Sequence, residues 1–407
     1  MKLTFLEQRI SNNPQLSLSI RHYIFLKDVL KLALTAFGGP QAHIAMMLKL
    51  MVEKRRYLTE KELIELNALC QILPGPTSTQ TLTAIGFRVG GASLAYLTLL
   101  VWITPTALFM TLVGLAMTYL ARHDISLHFL RYIQPIAVGF VAFAAYRIST
   151  KVIASKTSTF LMVVSAIISY YFNSPWVFPV LLLAGAFTTS LRFRKHPKEQ
   201  NKKLKIDWSN FILFGAVLIF AAVLGGATRW LPIRLFENFY RNGSLIFGGG
   251  QVLIPLMYTE FVEFKRYLTS QEFLSGYALA QAIPGPTFIF CTYIGTLAMR
   301  SYGFWGQLLG SFVATTGIFL PGTFLIFFII RFWEELKKYR FIKASLEGIN
   351  AVSSGMVIAA ALLLFQPIEA TYLNIGIVIA TFSLLLWTKI PPYVLIFTGI
   401  LAGMYIH

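Results

Sequence analysis

Apolar residues fall in thirteen blocks, at 24–52, 63–89, 92–120, 132–149, 157–172, 176–191, 208–226, 235–262, 273–299, 305–330, 346–365, 371–387 and 391–406. Short polar stretches separate them. About 20 mainly apolar residues cross a bilayer core as a helix. The pattern therefore predicts an all-α chain embedded in a membrane many times over. Trp176, Trp208, Trp230, Trp305, Trp333 and Trp387 lie at or near block ends, where an indole straddles the headgroup layer.

Composition sharpens this picture. Of 407 residues, 56% are hydrophobic and 13% charged, about half the charged share of a soluble chain. A water-soluble enzyme, a disordered chain and a disulfide scaffold are excluded. Cys70 and Cys291 form no CxxC pair, so no metal or redox site is expected. The first 23 residues hold Glu7, Asn12, Asn13 and Pro14 without a compact apolar core, so they read as a polar tail, not a signal peptide.

The charge of +18 sits mainly between the apolar blocks, which points to topology and not to nucleic acid. Residues 192–205 (RFRKHPKEQNKKLK) carry seven Lys/Arg and read as a cytoplasmic linker. If every block spans, the N-terminus is cytoplasmic and the C-terminus outside. Loops on the inner side then hold 22 Lys/Arg against ten outside. The stretch 53–62 (EKRRYLTEKE), placed outside with four basic residues, speaks against that topology. The other arrangement makes the two Pro-Gly-Pro blocks re-entrant hairpins.

The chain is internally duplicated. Residues 37–77 align with 247–287 without a gap, with 20 identities in 41 positions. Phe37 to Gln41 (FGGPQ) faces Phe247 to Gln251 (FGGGQ). Gln71 to Thr77 (QILPGPT) faces Gln281 to Thr287 (QAIPGPT). The expected divisions are a first repeat at 1–191, the basic linker at 192–207, an extra span at 208–226 and a second repeat at 227–407. Seven spans would separate the repeat starts. An odd number inverts the second repeat, a common transporter plan.

Each repeat carries two breaks, and the chemistry is expected there. Proline removes a backbone donor and glycine favours unwound backbone. Pro76 and Pro286 are expected to open half-helices, with Thr77 and Thr287 in the first turn. Unwound backbone at mid-depth is tolerated where protein buries it or a watery cavity meets it. Free amides at a half-helix start, with the positive dipole end, suit an anion. The candidate substrate-binding residues are Gly38, Gly39, Gln41, Gln71, Pro74, Gly75, Pro76 and Thr77. Their second-repeat partners are Gly248, Gly249, Gln251, Gln281, Pro284, Gly285, Pro286 and Thr287. Ser78 and Thr79 add neutral donors. Arg56 and Arg266 are matched and are expected either to attract anions at opposite mouths or to anchor at headgroups. Arg88 and Arg300 are expected to snorkel. His43, whose counterpart is Leu253, is expected to be packed or lipid-facing. Its loss should matter less than that of Gln71 or Pro76.

These paired motifs resemble the two-domain chromate ion transporter family, over residues 24–406. Gly250, where the first copy has Pro40, departs from the repeat and makes the half-sites unequal. The resemblance implies transport of the chromate dianion across the cell membrane, commonly efflux conferring resistance. Sulfate is its tetrahedral look-alike. It also implies two fused domains of opposite orientation. No catalytic residue, cofactor or metal is expected, and no nucleotide-binding loop is present. The expected partners are the oxyanion, the lipid bilayer and, as an assembly, a homodimer. Uptake or exchange of sulfate, an anion channel, and a membrane enzyme reducing chromate are the other readings.

Overall fold

The structure is a computed structural model and describes residues 14–125, 127–152, 155–172, 174–191, 207–247, 250, 252–331 and 340–405. The first repeat comprises α1 (Pro14–Thr35), α2 (Gly39–Met47), α3 (Glu60–Ile72), α4 (Thr77–Arg122), α5 (Ile133–Val152), α6 (Lys156–Tyr171) and α7 (Val177–Ser190). Next comes α8 (Ser209–Thr228). The second repeat comprises α9 (Leu231–Leu245), α10 (Leu253–Tyr258), α11 (Ser270–Ala282), α12 (Phe290–Ala298), α13 (Gly303–Ile329), α14 (Arg340–Phe365), α15 (Tyr372–Trp387) and α16 (Pro392–Tyr405). Both α2 and α10 continue as π-helical stretches, Leu48–Lys54 and Thr259–Phe264. The fold is all-α with two homologous halves, as the apolar pattern predicts.

Among the described residues, five stretches are long and apolar enough to cross a membrane: Thr77–Arg122, His128–Thr150, Ser209–Thr228, Arg300–Ile329 and Ala344–Phe365. α4 kinks where Gly90 and Gly91 leave helical geometry, so residues 77–89 and 92–122 are separate arms. Gly303, at φ 72°, marks the same bend before α13.

The expectation that every block spans is corrected. Arg88 Nη2 lies 2.8 Å from Glu62 Oε1, although the two residues stand at opposite ends of the first Pro-Gly-Pro block. Each arm is about 20 Å long, so this pairing requires the arms to fold back on each other. Arg300 pairs with Glu272 in the same way. These salt bridges also replace the snorkelling expected of both arginines. The motifs at 37–41 and 247–251 likewise join arms that turn back. Arg55 Nε meets Asp28 Oδ2 at 2.7 Å across the first. Phe239 stacks on Phe261 at 4.6 Å across the second. Four of the thirteen blocks are therefore helical hairpins.

Two reciprocal capping boxes define the bases of the Pro-Gly-Pro hairpins. Thr59 accepts from the Glu62 amide and Glu62 accepts from the Thr59 amide, satisfying two donors at the start of α3. Thr269 and Glu272 repeat the device at α11. Each glutamate thus both caps a helix and closes a hairpin.

The halves are inverted. The second arm of α4 and α13 are counterparts, and they run antiparallel. Thr111 Oγ1 meets Ser311 Oγ at 2.6 Å, Gln307 Nε2 donates to Thr118 Oγ1 at 2.7 Å, and Arg122 donates to the Arg300 carbonyl at 3.2 Å. Position rises along one helix as it falls along the other. Because both are apolar and long enough to span, the pseudo-two-fold axis lies in the membrane plane. The outer helices interlock too. Ser155 and Ser158 donate to Glu347 at 2.9 and 2.8 Å near one end of α6 and α14, and Gln366 donates to Tyr170 near the other. α6 therefore runs the length of α14.

Candidate functional site

Gly75, at the first Pro-Gly-Pro tip, has φ 115°, and Gly285, at the second, has φ 117°. A β-carbon at Gly285 would sit 2.3 Å from Thr106 Oγ1, so both conformation and space demand glycine. The Gly75 amide donates to the Ile246 carbonyl at 2.7 Å, and the Gly285 amide donates to the Ala36 carbonyl at 2.9 Å. Ala36 and Ile246 directly precede Phe37 and Phe247. Each Pro-Gly-Pro tip is therefore pinned to the Phe-Gly-Gly tip of the opposite repeat, and the four breaks converge.

Each tip also rests beside the helical proline of the other repeat. Thr106, next to Pro105, donates from its hydroxyl to the Pro284 carbonyl at 2.8 Å. Its counterpart Gly322, next to Pro321, has no side chain to offer. Gln80 fills that role and donates from Nε2 to the carbonyls of Pro74 at 2.8 Å and Gly322 at 3.2 Å. The tips lie near the middle of the long second arm of α4, because Thr106 stands roughly halfway along residues 92–122.

His43 stitches the first tip region together. Its Nε2 lies 3.1 Å from the Ala36 carbonyl, which only accepts, so Nε2 carries a hydrogen. Its Nδ1 lies 3.0 Å from Ser78 Oγ. Trp102 packs edge-on against the imidazole ring and donates to Thr79 Oγ1 at 3.0 Å. The packed alternative for His43 is the observed one, and the residue is bonded to the carbonyl that receives Gly285.

α4 starts at Thr77, with Pro76 as the flanking cap residue; Pro76 was expected inside the first turn. No side chain caps this start. The first bond of helical spacing is Gln80 N–H to the Pro76 carbonyl at 2.9 Å. The amides of Thr77, Ser78 and Thr79 precede it and have no partner within the helix. In the second repeat the turn tightens to a 3₁₀ helix over Thr287–Ile289, with Ile289 N–H on the Pro286 carbonyl.

The predicted residues divide into groups. Pro74, Gly75, Pro76, Thr77 and Pro286 are buried at the tips, and Pro284, Gly285, Gln281 and Thr287 are half-buried there. Gly38 and Gly39 have φ 94° and 74° and form the turn into α2. Gln41 lies on α2, and its side chain falls outside the described residues. Gly248, Gly249 and Gln251 also lie outside them. Gln71 is exposed. A β-carbon on Gly250 would come within 3.2 Å of Thr287 Cβ, a close approach that favours glycine there. Arg56 and Arg266 share left-handed backbone, φ 53° and 54°, and sit at opposite hairpin bases, remote from the tips. Arg266 and Arg300 line a cleft of about 1110 Å³ with Tyr258, Glu263 and Ser270. Sequence reasoning missed Gln80, Thr106 and Gly322. Thr106 and Gly322 each follow a proline inside a span, and that was the available signal.

The sequence profile of the chromate transporter family matches residues 24–189 and 233–404, one stretch for each repeat. The chain belongs to the chromate transporter family. Its relatives include a probable chromate transport protein of Synechococcus elongatus, 28% identical over 92% of this chain and 93% of its own. A chromate transport protein of Pseudomonas aeruginosa is 27% identical over 83% and 79%. An uncharacterized transporter of Bacillus subtilis, 29% identical, aligns over 98% of its own length but 43% of this chain. No solved structure matches. As a family member the chain is a membrane transporter of the chromate type.

Proposed function

We propose that the chain exports chromate by alternating access around a mid-depth anion site formed where the four tips converge. The observation that carries this reading is the reciprocal pair of amide bonds, Gly75 to Ile246 and Gly285 to Ala36, which brings the breaks of both repeats together. The amides of Thr77, Ser78 and Thr79, with the positive dipole end of α4, supply the anion donors. Neutral donors replace the anion's water without trapping it by full charge. Hairpins entering from opposite faces give each side of the membrane its own approach to the tips.

Charge supports the orientation. With four re-entrant hairpins, the stretch 53–62 joins the side of the N-terminus and the 192–205 linker. That side holds 24 Lys/Arg and the other eight, which makes it cytoplasmic by the positive-inside rule. The C-terminus is then outside. The membrane potential drives a dianion outward by about 4.6 kcal/mol at 100 mV.

Purified protein in vesicles carrying an imposed potential tests the reading. Labelled chromate should leave the negative compartment against its gradient, with Gly75→Ala and Gly285→Ala nearly inactive. Equal transport of sulfate would change the substrate. Flux that does not saturate with chromate concentration would make the protein a channel.

A further inference from the structure

The cleft of about 1110 Å³ lies at the bases of the second repeat's hairpins, away from the tips. Its depth follows from Arg300, which lines it and is the first residue of the spanning stretch Arg300–Ile329. The end of a span sits at the headgroup layer. Tyr302, Phe304 and Trp305 come next and are exposed, as interfacial aromatics are.

The lining is of two kinds. Arg266, Arg300 and Ser270 supply hydrogen-bond donors, and Val262, Phe264 and Leu268 supply apolar surface. Arg266 is exposed and enters no ion pair among the described residues. Arg300 spends Nη1 on Glu272 and keeps its other guanidinium hydrogens. The acid in the lining, Glu263, accepts from the Thr259 hydroxyl, and its Oε2 is shut off from solvent. The charge that the cleft offers a ligand is therefore positive. Phe264 is 59% exposed beside it.

The first repeat is not built this way. Arg56 and Arg88 correspond to Arg266 and Arg300, but Lys54 stands in place of Phe264 and Glu60 in place of Ser270. The arginine pair is common to both bases. The apolar wall, with a hydroxyl where the other base has an acid, belongs to the second alone.

A free tetrahedral oxyanion would use the two guanidiniums, but it needs neither this volume nor an apolar wall. A phospholipid uses all three features. We propose that the cleft binds one phospholipid, with its phosphodiester on Arg266 and Arg300 and its upper acyl chains over Val262, Phe264 and Leu268. Arg266 ends the Phe-Gly-Gly hairpin and Arg300 ends the Pro-Gly-Pro hairpin, so the lipid phosphate joins the two bases. The orientation argued above places it in the outer leaflet. The site itself depends neither on that orientation nor on the tip site.

Calorimetric titration of delipidated full-length protein in detergent tests this with three probes. Short-chain phosphatidylglycerol has the phosphodiester and the tails, glycerophosphoglycerol has the head alone, and short-chain diacylglycerol has the tails alone. The first should bind at one saturable site, and the other two at least about tenfold more weakly. Arg266→Gln should lower the phosphatidylglycerol affinity about tenfold through loss of a charge-assisted contact. Phe264→Ser should lower it about threefold and leave the tail-less head unaffected. Arg56→Gln, the matched change in the first repeat, should stay within about twofold. These three side chains are exposed, so the variants should melt like the wild type. If the tail-less head or chromate displaces phosphatidylglycerol as well as the lipid itself does, the cleft holds a free oxyanion and the proposal falls. Equal losses in Arg56→Gln and Arg266→Gln, or binding that does not saturate, would mean general surface charge and would also overturn it.

Discussion

The amide of Gly75 donates to the carbonyl of Ile246 at 2.7 Å, joining the tip of one repeat to the tip of the other by backbone alone. The same bond recurs 210 positions on, from Gly285 to Ala36. A reciprocal contact between equivalent positions is what a two-fold relation produces. Since no side chain makes these joints, they survive divergence such as Pro40 against Gly250. The side chains around them differ, Thr106 on one tip and Gln80 on the other, so the two joints are unequal in strength and in chemistry.

Thr106→Val keeps the volume at the second tip and removes the donor to the Pro284 carbonyl. A buried acceptor left unpaired costs about 1–3 kcal/mol. Thermal unfolding in detergent should show that loss, and transport should drop with it. Thr104→Val, whose hydroxyl bonds only within its own helix, should change little.

His43→Ala removes a buried ring from the Ala36 carbonyl that receives Gly285. Destabilisation of about 1–3 kcal/mol is expected. Gln71→Ala alters an exposed side chain and should stay within about 0.5 kcal/mol. This reverses the order that the sequence alone suggests, and parallel melting and transport assays of the two variants measure it.

The hairpin closure depends on pH in a defined direction. The Thr59 amide donating to Glu62 holds this carboxyl below its ordinary value, with further help from the Thr59 hydroxyl and Arg88. A lowered folded-state pKa gives stability that is present above the ordinary value near 4.5 and lost as pH falls through the folded value. The hairpin therefore stays closed at neutral pH. Glu62→Gln should lower the melting temperature at neutral pH and flatten the acid limb, so that the two profiles converge in acid.

Asp28 is buried and is held by Arg55 and by the Tyr57 hydroxyl at 3.0 Å. Burial first, then the bonded carboxylate, pushes Tyr57 up to about 12. Arg55→Ala leaves the carboxylate with one partner and should cost about 1–3 kcal/mol. Restoring melting temperature by adding Asp28→Asn would identify the stranded charge as the cause.

Much of this was legible in the sequence. Apolar blocks located the membrane helices, and the gapless match of 37–77 with 247–287 exposed the duplication. Block length cannot tell a span from a hairpin, because arms of 13 residues around Pro74-Gly75-Pro76 fill about the same length as one crossing. The basic stretch at 53–62 was the signal that favoured hairpins, since it is misplaced if every block spans. Counting four hairpins instead of four spans leaves the parity unchanged, so the inverted relation follows from either count. The cross-repeat bonds were invisible because backbone atoms of Ala36 and Ile246 make them. Gln80 was overlooked because its role exists only where Gly322 lacks the hydroxyl of Thr106.

The account stands on hairpins that enter from opposite faces. Side-specific labelling of single cysteines, placed at 62 and 88 and at 272 and 300 in a background without Cys70 and Cys291, tests this directly. An impermeant thiol reagent should label 62 and 88 from the cytoplasmic face and 272 and 300 from the other. Labelling of 62 and 88 from different faces would mean that the Pro-Gly-Pro block crosses the membrane, and would contradict the convergence of the tips.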